Sequence, residues 1–351
     1  LARYEERGHE WAADHAHPAQ RAEAESFAAR VAPGGLRLDL GCGAGRYLPF
    51  LGRPAVGLDG STSMLAAARA AVPDASYLRA DLARLPFARG SLDGAWSWMA
   101  HLHLPRERLP LALWDLHRCL RVGAPLDLQV MAGDYQGHAL PEDGIGGRYF
   151  AGWSPDHLFD VVGGAGFDVV PGSLVVEGDQ VRLRAVRART LADTVVPAMR
   201  LLVCGVNPAI YSADVGVGYG RPGNRFWPAA LAAGVVTRDR DPYDALASHG
   251  MGMTDFVKRA TRTAAEVTTV EYRTGHARVA RLVEWLKPGA VCFVGLSGWR
   301  AAVDPRAAPG WQPGGIAGRP DYVMPSTSGL NARTDLGELV EHLRAAAAGP
   351  N

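Results

Sequence analysis

Short apolar runs alternate with amphipathic stretches through the first half of the chain. The runs at 36–40, 54–58, 75–79, 92–97, 125–131, 167–176 and 181–188 have strand length. Between them, segments such as 62–72 and 107–120 place apolar residues at helical spacing. This alternation predicts an α/β architecture built on a doubly wound parallel sheet. The last two runs flank Glu177-Gly178-Asp179 and predict a hairpin closing one edge. Ser154-Pro155, a capping residue followed by proline, marks a helix start. The pattern lapses over 185–198, which reads as a linker. It then restarts with strands at 200–205, 290–295 and 321–325 and helices at 224–233, 276–286 and 335–348.

A chain of 351 residues has room for two ordinary domains, each with its own core. The break places them at 1–190 and 198–351. Formal net charge is only +1, so no overall field draws in nucleic acid. The halves differ, however: up to residue 191 there are 20 basic residues against 22 acids, and beyond it 17 against 14. The second half therefore tolerates a polyanionic partner better than the first. Cys42, Cys119, Cys204 and Cys292 are scattered without a CxxC pair. That spacing argues against a metal site, an iron–sulfur cluster or a disulfide scaffold, and predicts a cytoplasmic protein. No apolar run reaches membrane-spanning length, so no membrane partner is expected.

The first half carries a nucleoside-binding pattern. In LRLDLGCGAGRYLPFL (36–51), Gly41, Gly43 and Gly45 fall in the turn between the first strand and its helix, where a ligand must approach the backbone closely. The spacing is GxGxG rather than the dinucleotide GxGxxG. Asp59 ends the second strand, where a carboxylate accepts hydrogen bonds from a ribose diol. Asp81 follows the third strand and is placed to accept from an adenine amino group. Either acid alone is compatible with a simple turn cap; the three features together point to a nucleoside cofactor. Residues 35–175 resemble the class I S-adenosylmethionine-dependent methyltransferases that act on small molecules, apart from RVGAPL (121–126) where the family has a Lys-Pro-Gly-Gly turn. The resemblance implies a seven-stranded Rossmann-like sheet, S-adenosylmethionine as cofactor, Gly41 and Gly43 at its methionine end, Asp59 at the ribose and Asp81 at the adenine. The methyl acceptor is left open. His101 and His103 are candidate bases, and Trp96, Trp98 and Trp153 read as core or lid.

The second half opens on GVNPAIYSADVGVGYGRPGNRFW (205–227), a Gly- and Asn-rich stretch directly after a strand. With GMGMTDFVKRATRTAAEVT (250–268), KPGAVCFVGLSGW (287–299) and YVMPSTSGLNAR (322–333) in order, it resembles the mismatch-specific uracil/thymine DNA glycosylases of the uracil-DNA glycosylase superfamily. The resemblance implies a three-layer α/β/α fold. It makes Asn207 the catalytic residue that holds a water, and Tyr219, Ala209 and Ser326 the base pocket. Gly329, Leu330 and Asn331 become the DNA wedge. Three positions depart from the family: Ala209 replaces a glycine, Asp255 a lysine or asparagine, and Ala332 an intercalating arginine. An acid at 255 is expected to repel phosphate. Arg221, Arg225, Lys258, Arg259 and Arg262 are candidate phosphate contacts.

The resulting expectation is a bifunctional fusion. A monofunctional glycosylase would release uracil, with thymine as a second base, from G·U or G·T mismatches in double-stranded DNA, joined to a methyltransferase of unknown acceptor. The rival reading is a metabolic small-molecule methyltransferase carrying a DNA-binding, weakly active or inactive glycosylase-like domain. Oligomeric state is not legible in the sequence.

Overall fold

The computed structural model describes residues 2–6, 18–138, 140, 143 and 146–350. They divide into two units, one formed by residues up to 163 with 167–188, the other by 164–166 with 189 onward.

The first unit is built around β1 (Arg37–Leu40), every residue of which is buried. It pairs in parallel with β2 (Ala55–Asp59) and β4 (Gly94–Trp98); β3 (Ser76–Arg79) extends the sheet beyond β2, and β5 (Pro125–Ala132) follows β4. Strands covered on both faces are rich in apolar residues, although β1 also buries the charged Arg37 and Asp39. Three short strands follow: β6 (Gln136–Gly137), β7 (Phe150–Trp153) and β8 (Phe167–Val169). Next come β9 (Val175–Glu177) and β10 (Gln180–Arg187). β10 runs antiparallel to β5, β8 and β9, giving the path β3-β2-β1-β4-β5-β10-β8.

The single strand expected at 167–176 is thus two. Pro171 has no N–H to give a ladder, and Gly172 turns through φ +74°, so the chain leaves the sheet and returns to it as β9. The β9–β10 hairpin turns at Gly178-Asp179, with Glu177 facing Gln180. Among the helices, α1 (Pro18–Arg30) lends Phe27 to the core beside Trp96, and α2 (Thr62–Ala71) is capped by Ser61 Oγ, which accepts from Met64 N–H at 3.2 Å. α3 (Leu109–Cys119) buries an apolar stripe, and α4 (Pro155–Gly164) opens where Ser154 Oγ accepts from His157 N–H at 3.4 Å.

The second unit has β11 (Leu201–Gly205), β12 (Met251–Asp255), β13 (Ala290–Val294), β14 (Gly310–Trp311) and β15 (Asp321–Met324), in the order β12-β11-β13-β15-β14. All pairs are parallel except β14 with β15. The helices are α5 (Ile210–Val215), α6 (Phe226–Ala232), α7 (Pro242–His249), α8 (Thr269–Leu286), α9 (Leu296–Ala302) and α10 (Leu336–Ala348). Phe226 and Trp227 of α6 and Leu339 and Leu343 of α10 share one buried cluster with β11, β13 and β15. A second aromatic group, Phe256, Phe293, Trp299 and Tyr272, joins β13 to α8 and α9. α8 passes so close to Phe256 that a Cβ on Gly275 would lie 2.0 Å from its carbonyl oxygen.

The linker expected at 185–198 is shorter than the sequence suggests. Residues up to 187 belong to β10, and Thr194 already forms an antiparallel bridge with Met253.

Candidate functional sites

In a parallel sheet the backbone at the C-terminal strand ends is free to form loops, and ligand sites collect there. In the second unit these ends carry Gly205-Val206-Asn207 after β11, Asp255 at the end of β12, Gly295 after β13 and Ser326 after β15. Gly295 has φ +104°, and a Cβ on it would lie 3.3 Å from Val206 Cγ2 and 4.0 Å from Ser326 Cβ, so three of the ends converge.

The Asn207 amide has a determined orientation. Its Nδ2 donates to Thr261 Oγ1 at 2.7 Å and to the Arg259 carbonyl at 3.0 Å. Thr261 spends its own hydroxyl proton on the Thr263 carbonyl at 2.7 Å, so toward Asn207 it only accepts. Both partners therefore demand the NH2 side, which directs Oδ1 away from them. The neighbouring loop is pinned by backbone bonds: Thr261 N–H to Pro208 O at 3.1 Å and Ile210 N–H to Thr261 O at 3.1 Å, with Ala209 bridged to Thr261.

Tyr219 is half-buried, in the left-handed region at φ +57°, with its ring stacked on Phe226 at 4.2 Å. Its hydroxyl is buried without a hydrogen-bond partner. Ser326 keeps its hydroxyl within the loop, accepting from Ser328 N–H at 3.3 Å. Leu330 is 85% exposed at the loop tip. Asn331 shapes the loop from inside, donating to Ser326 O at 2.8 Å and accepting from Arg333 N–H at 3.2 Å. Gly329 lies against the glycine-rich stretch before α6: a Cβ there would meet the Gly223 carbonyl at 2.7 Å.

Three of the expected phosphate-binding cations are occupied elsewhere. Arg225 donates to the carbonyls of Thr334 (2.6 Å), Asn331 (2.7 Å) and Ser328 (3.2 Å), tying the wedge loop to the start of α6. Lys258 is held at 2.7 Å by the buried Asp193, whose carboxylate also takes Arg278 at 2.8 Å and Thr254 at 2.7 Å; these cations keep it below the usual carboxylate range against the effect of burial. Arg259 pairs with Glu271 at 2.7 Å. Arg221, Arg262 and, unforeseen, Arg333 are exposed. Asp255 does not turn outward as a phosphate-repelling acid: its Oδ1 lies over the Gly205 α-carbon, 2.4 Å from where a Cβ would stand.

In the first unit, Gly41 and Gly43 have φ +67° and +52°. A Cβ on Gly41 would lie 2.5 Å from Ala100 Cβ, whereas the space beside Gly43 is open. Asp59 Oδ2 accepts from Gly43 N–H at 2.9 Å and Oδ1 from Ser61 N–H at 2.8 Å; burial raises its pKa against those donors. Asp81 is exposed and uses Oδ1 to cap its own turn at Ala83 N–H, 2.8 Å away. Sequence reasoning missed Asp39, although it stands two residues before Gly41. It is fully enclosed, its Oδ2 is without a partner, and burial with the nearby Asp59 charge lifts it to about 8, which favours the neutral form.

The two histidine candidates separate. His101 is buried against Ser97 Oγ at 2.6 Å and burial lowers it to about 4, a structural placement. His103 Nδ1 faces the Tyr149 carbonyl at 2.8 Å, so it carries the proton there and its Nε2 accepts from the Tyr4 hydroxyl at 2.8 Å. Arg148 donates to the same hydroxyl at 2.9 Å. Tyr4 was not foreseen; its neighbour Glu5 accepts from Thr62 and Ser63 N–H at the start of α2. Trp96 and Trp98 stack at 4.3 Å within the core, and Trp153 is buried. Among the described residues no cluster of His, Cys, Asp and Glu could hold a metal ion, and no helix is long and apolar enough to cross a membrane.

Comparison with known proteins places both halves. Residues 38–123 match a family described as methyltransferase domain, and residues 192–347 match the uracil DNA glycosylase superfamily. The chain therefore joins a methyltransferase domain to a uracil DNA glycosylase superfamily domain. Similar solved structures include a SAM-dependent methyltransferase from Methanosarcina mazei, at 16% identity over 50% of this chain and 99% of that one, TM-score 0.42. A second, an S-adenosylmethionine-dependent methyltransferase from Mesorhizobium loti, is 22% identical over 47% and 98%, TM-score 0.38. A third is the 1,6-didemethyltoxoflavin-N1-methyltransferase of Burkholderia thailandensis, 18% identical over 53% and 85%, TM-score 0.42.

Proposed function

We propose that the C-terminal domain, residues 198–351, is a monofunctional DNA glycosylase that hydrolyses the N-glycosidic bond of uracil mispaired with guanine, with thymine as the second base to test. The N-terminal domain, residues 1–190, would methylate an acceptor still to be identified. The observation that carries the glycosylase reading is the orientation of Asn207. Breaking the bond between C1′ and a pyrimidine leaves an oxocarbenium-like sugar and an anionic base. A carboxamide takes no proton, but an oxygen turned away from Thr261 and Arg259 can hold a water for C1′. Catalysis then rests on placement and on stabilising the leaving base.

Three further features support it. The half-buried Tyr219 ring, backed on one side by Phe226, offers a stacking surface to an everted base. Leu330, exposed at its loop tip, has the position of a side chain that fills the vacated stack. The exposed Arg221, Arg262 and Arg333 suit phosphate. The chain has only two lysines. Lys258 is bound by Asp193, and Lys287 stands before the start of β13, at the opposite end of the parallel sheet from Asn207, so neither is offered as an amine nucleophile and the product is an abasic site.

S-adenosylmethionine fits the first unit: the space at Gly43 is open, Asp59 stands beside it, and the orphaned Asp39 oxygen lies under the same turn. Gly41, Gly43, Asp59 and Asp81 would hold the cofactor, which when bound supplies an electrophilic methyl group. The chain's part is to align the acceptor and exclude water.

Replacing Asn207→Ala should abolish uracil release from a G·U oligonucleotide while leaving duplex affinity within a few-fold. Unchanged release by that variant removes the assignment. The rival reading, a glycosylase-like domain that binds without cutting, draws on the acid at Asp255, whose charge opposes an anionic leaving group. Wild-type release of uracil excludes it.

A further inference from the structure

Lys258, expected at a phosphate, instead turns inward beside the loop that follows β12. The pairing of β12 with β11 ends where Asp255 faces Gly205, and two further backbone bonds extend it. Phe256 N–H donates to Gly205 O at 2.9 Å and Val257 N–H to Val206 O at 3.1 Å. The next tie is Thr261 N–H to Pro208 O. Between these anchors lie Lys258, Arg259 and Ala260, and within that stretch stands the Arg259 carbonyl, which accepts from Asn207 Nδ2 at 3.0 Å. A carbonyl can orient an amide only if its own stretch of backbone is held.

Lys258 is held at both ends. Its Nζ donates to Asp193 Oδ1 at 2.7 Å, and its carbonyl, one peptide before that of Arg259, accepts from Thr190 Oγ1. Asp193 and Thr190 belong to one short segment ahead of β11, and both are buried. That segment is itself fixed: Thr194 and Met253 exchange backbone bonds of 2.9 Å. Asp193 also takes Thr254 Oγ1 at 2.7 Å and Arg278 Nη1 at 2.8 Å. Arg278 Nη2 continues to the Asp255 carbonyl at 2.7 Å. One carboxylate therefore ties the approach to β11, the end of β12 and α8 to the Lys258 ammonium. A lysine in solvent samples many rotamers and positions nothing, whereas this side chain is only 17% exposed. The Arg259 guanidinium pairs with Glu271, but at an exposed side chain, where an ion pair fixes little.

We propose that Lys258 is a positioning residue of the glycosylase site: clamped by Asp193 and Thr190, it fixes the Arg259 carbonyl against the Asn207 amide, so that the amide oxygen stays turned toward the attacking water. This rests on the glycosylase reading and deepens it. The effect of Lys258 on the reaction passes wholly through Asn207, and the segment ahead of β11 thereby gains a part in catalysis.

The test is single-turnover uracil release from a saturating G·U duplex by the full chain. Lys258→Met should lower the rate about ten- to a hundredfold. Affinity for a duplex carrying non-cleavable 2′-fluorouridine opposite guanine, and the slope of that affinity against salt, should stay as in the wild type. Lys258→Arg should recover most of the rate. Thr190→Val alters no charge and serves should Lys258→Met fail to fold: its rate should fall in the same way, and Thr190→Ser restore it. A second measurement needs no turnover. The chain has only four asparagines, so isotopically labelled asparagine gives a side-chain amide spectrum simple enough to read residue by residue. The Asn207 signal, identified by its loss in Asn207→Ala, should shift in Lys258→Met while those of Asn224 and Asn331 stay in place. Weaker duplex binding by Lys258→Met, with a salt slope lower by about one, returns the lysine to a phosphate and overturns the proposal. An unchanged rate overturns it even where the melting temperature falls, and so does an unmoved Asn207 signal. If the wild type releases no uracil, the glycosylase reading fails, and the amide signal alone then decides whether Lys258 sets Asn207.

Discussion

At the scale of single residues, Thr261 decides what Asn207 can do. An unrestrained carboxamide can present either oxygen or nitrogen to a ligand; here the hydroxyl that already donates to Thr263 leaves only one choice. Thr261→Val keeps the shape and removes the shorter of the two contacts that fix the amide, leaving the Arg259 carbonyl at 3.0 Å. The uracil-release rate is expected to fall by about one to two orders of magnitude with duplex affinity unchanged, the signature of a positioning residue. Thr261→Ser should restore it. Loss of one buried hydrogen bond costs about 1 kcal/mol, so the melting temperature should move by only a few degrees. An unchanged rate in Thr261→Val would show that the amide needs no such guide.

At the scale of elements, the wedge loop is held by one side chain. Arg225 crosses from the start of α6 to three carbonyls of the loop. Arg225→Gln should therefore loosen Leu330, and affinity for a G·U duplex is expected to drop about tenfold with little loss for undamaged DNA. Equal losses on both duplexes would return Arg225 to the role of a phosphate contact.

The elements also show what a sequence can reveal. Runs such as those of β11 and β13 are continuous and apolar because both sheet faces are covered, and they were readable at once. β12 was not, since Met251–Asp255 contains Gly252, a residue required by Met199, whose sulfur would lie 2.1 Å from a Cβ there. α8 begins at Thr269 rather than near 276, because its first turns are largely polar; the Thr268/Glu271 capping box was the available signal. Within the sites, the strand-end position of Asn207 and the glycine turn at 41–45 were legible as motifs. The inward turn of Asp255 and the Tyr4–His103 contact were not, since each depends on a partner distant in sequence.

For the whole molecule, each unit has its own sheet and its own buried cluster. Calorimetry should then resolve two transitions, and S-adenosylmethionine should raise only one of them. A hundredfold excess over Kd corresponds to about 2.7 kcal/mol. Asp59→Ala should erase that shift without touching the second transition. A ligand-induced rise in both would mean that the units unfold as a single cooperative body.

All four cysteines are buried, and burial pushes the Cys119 thiol up to about 11 and Cys292 to about 12, with Cys42 and Cys204 raised as well. The native chain is consequently almost silent toward maleimides. A lone cysteine introduced in place of Leu330 would be the reactive handle, so a fluorophore could be mounted at the tip that is meant to penetrate the duplex and its quenching followed in real time, against no background from the remaining sulfurs.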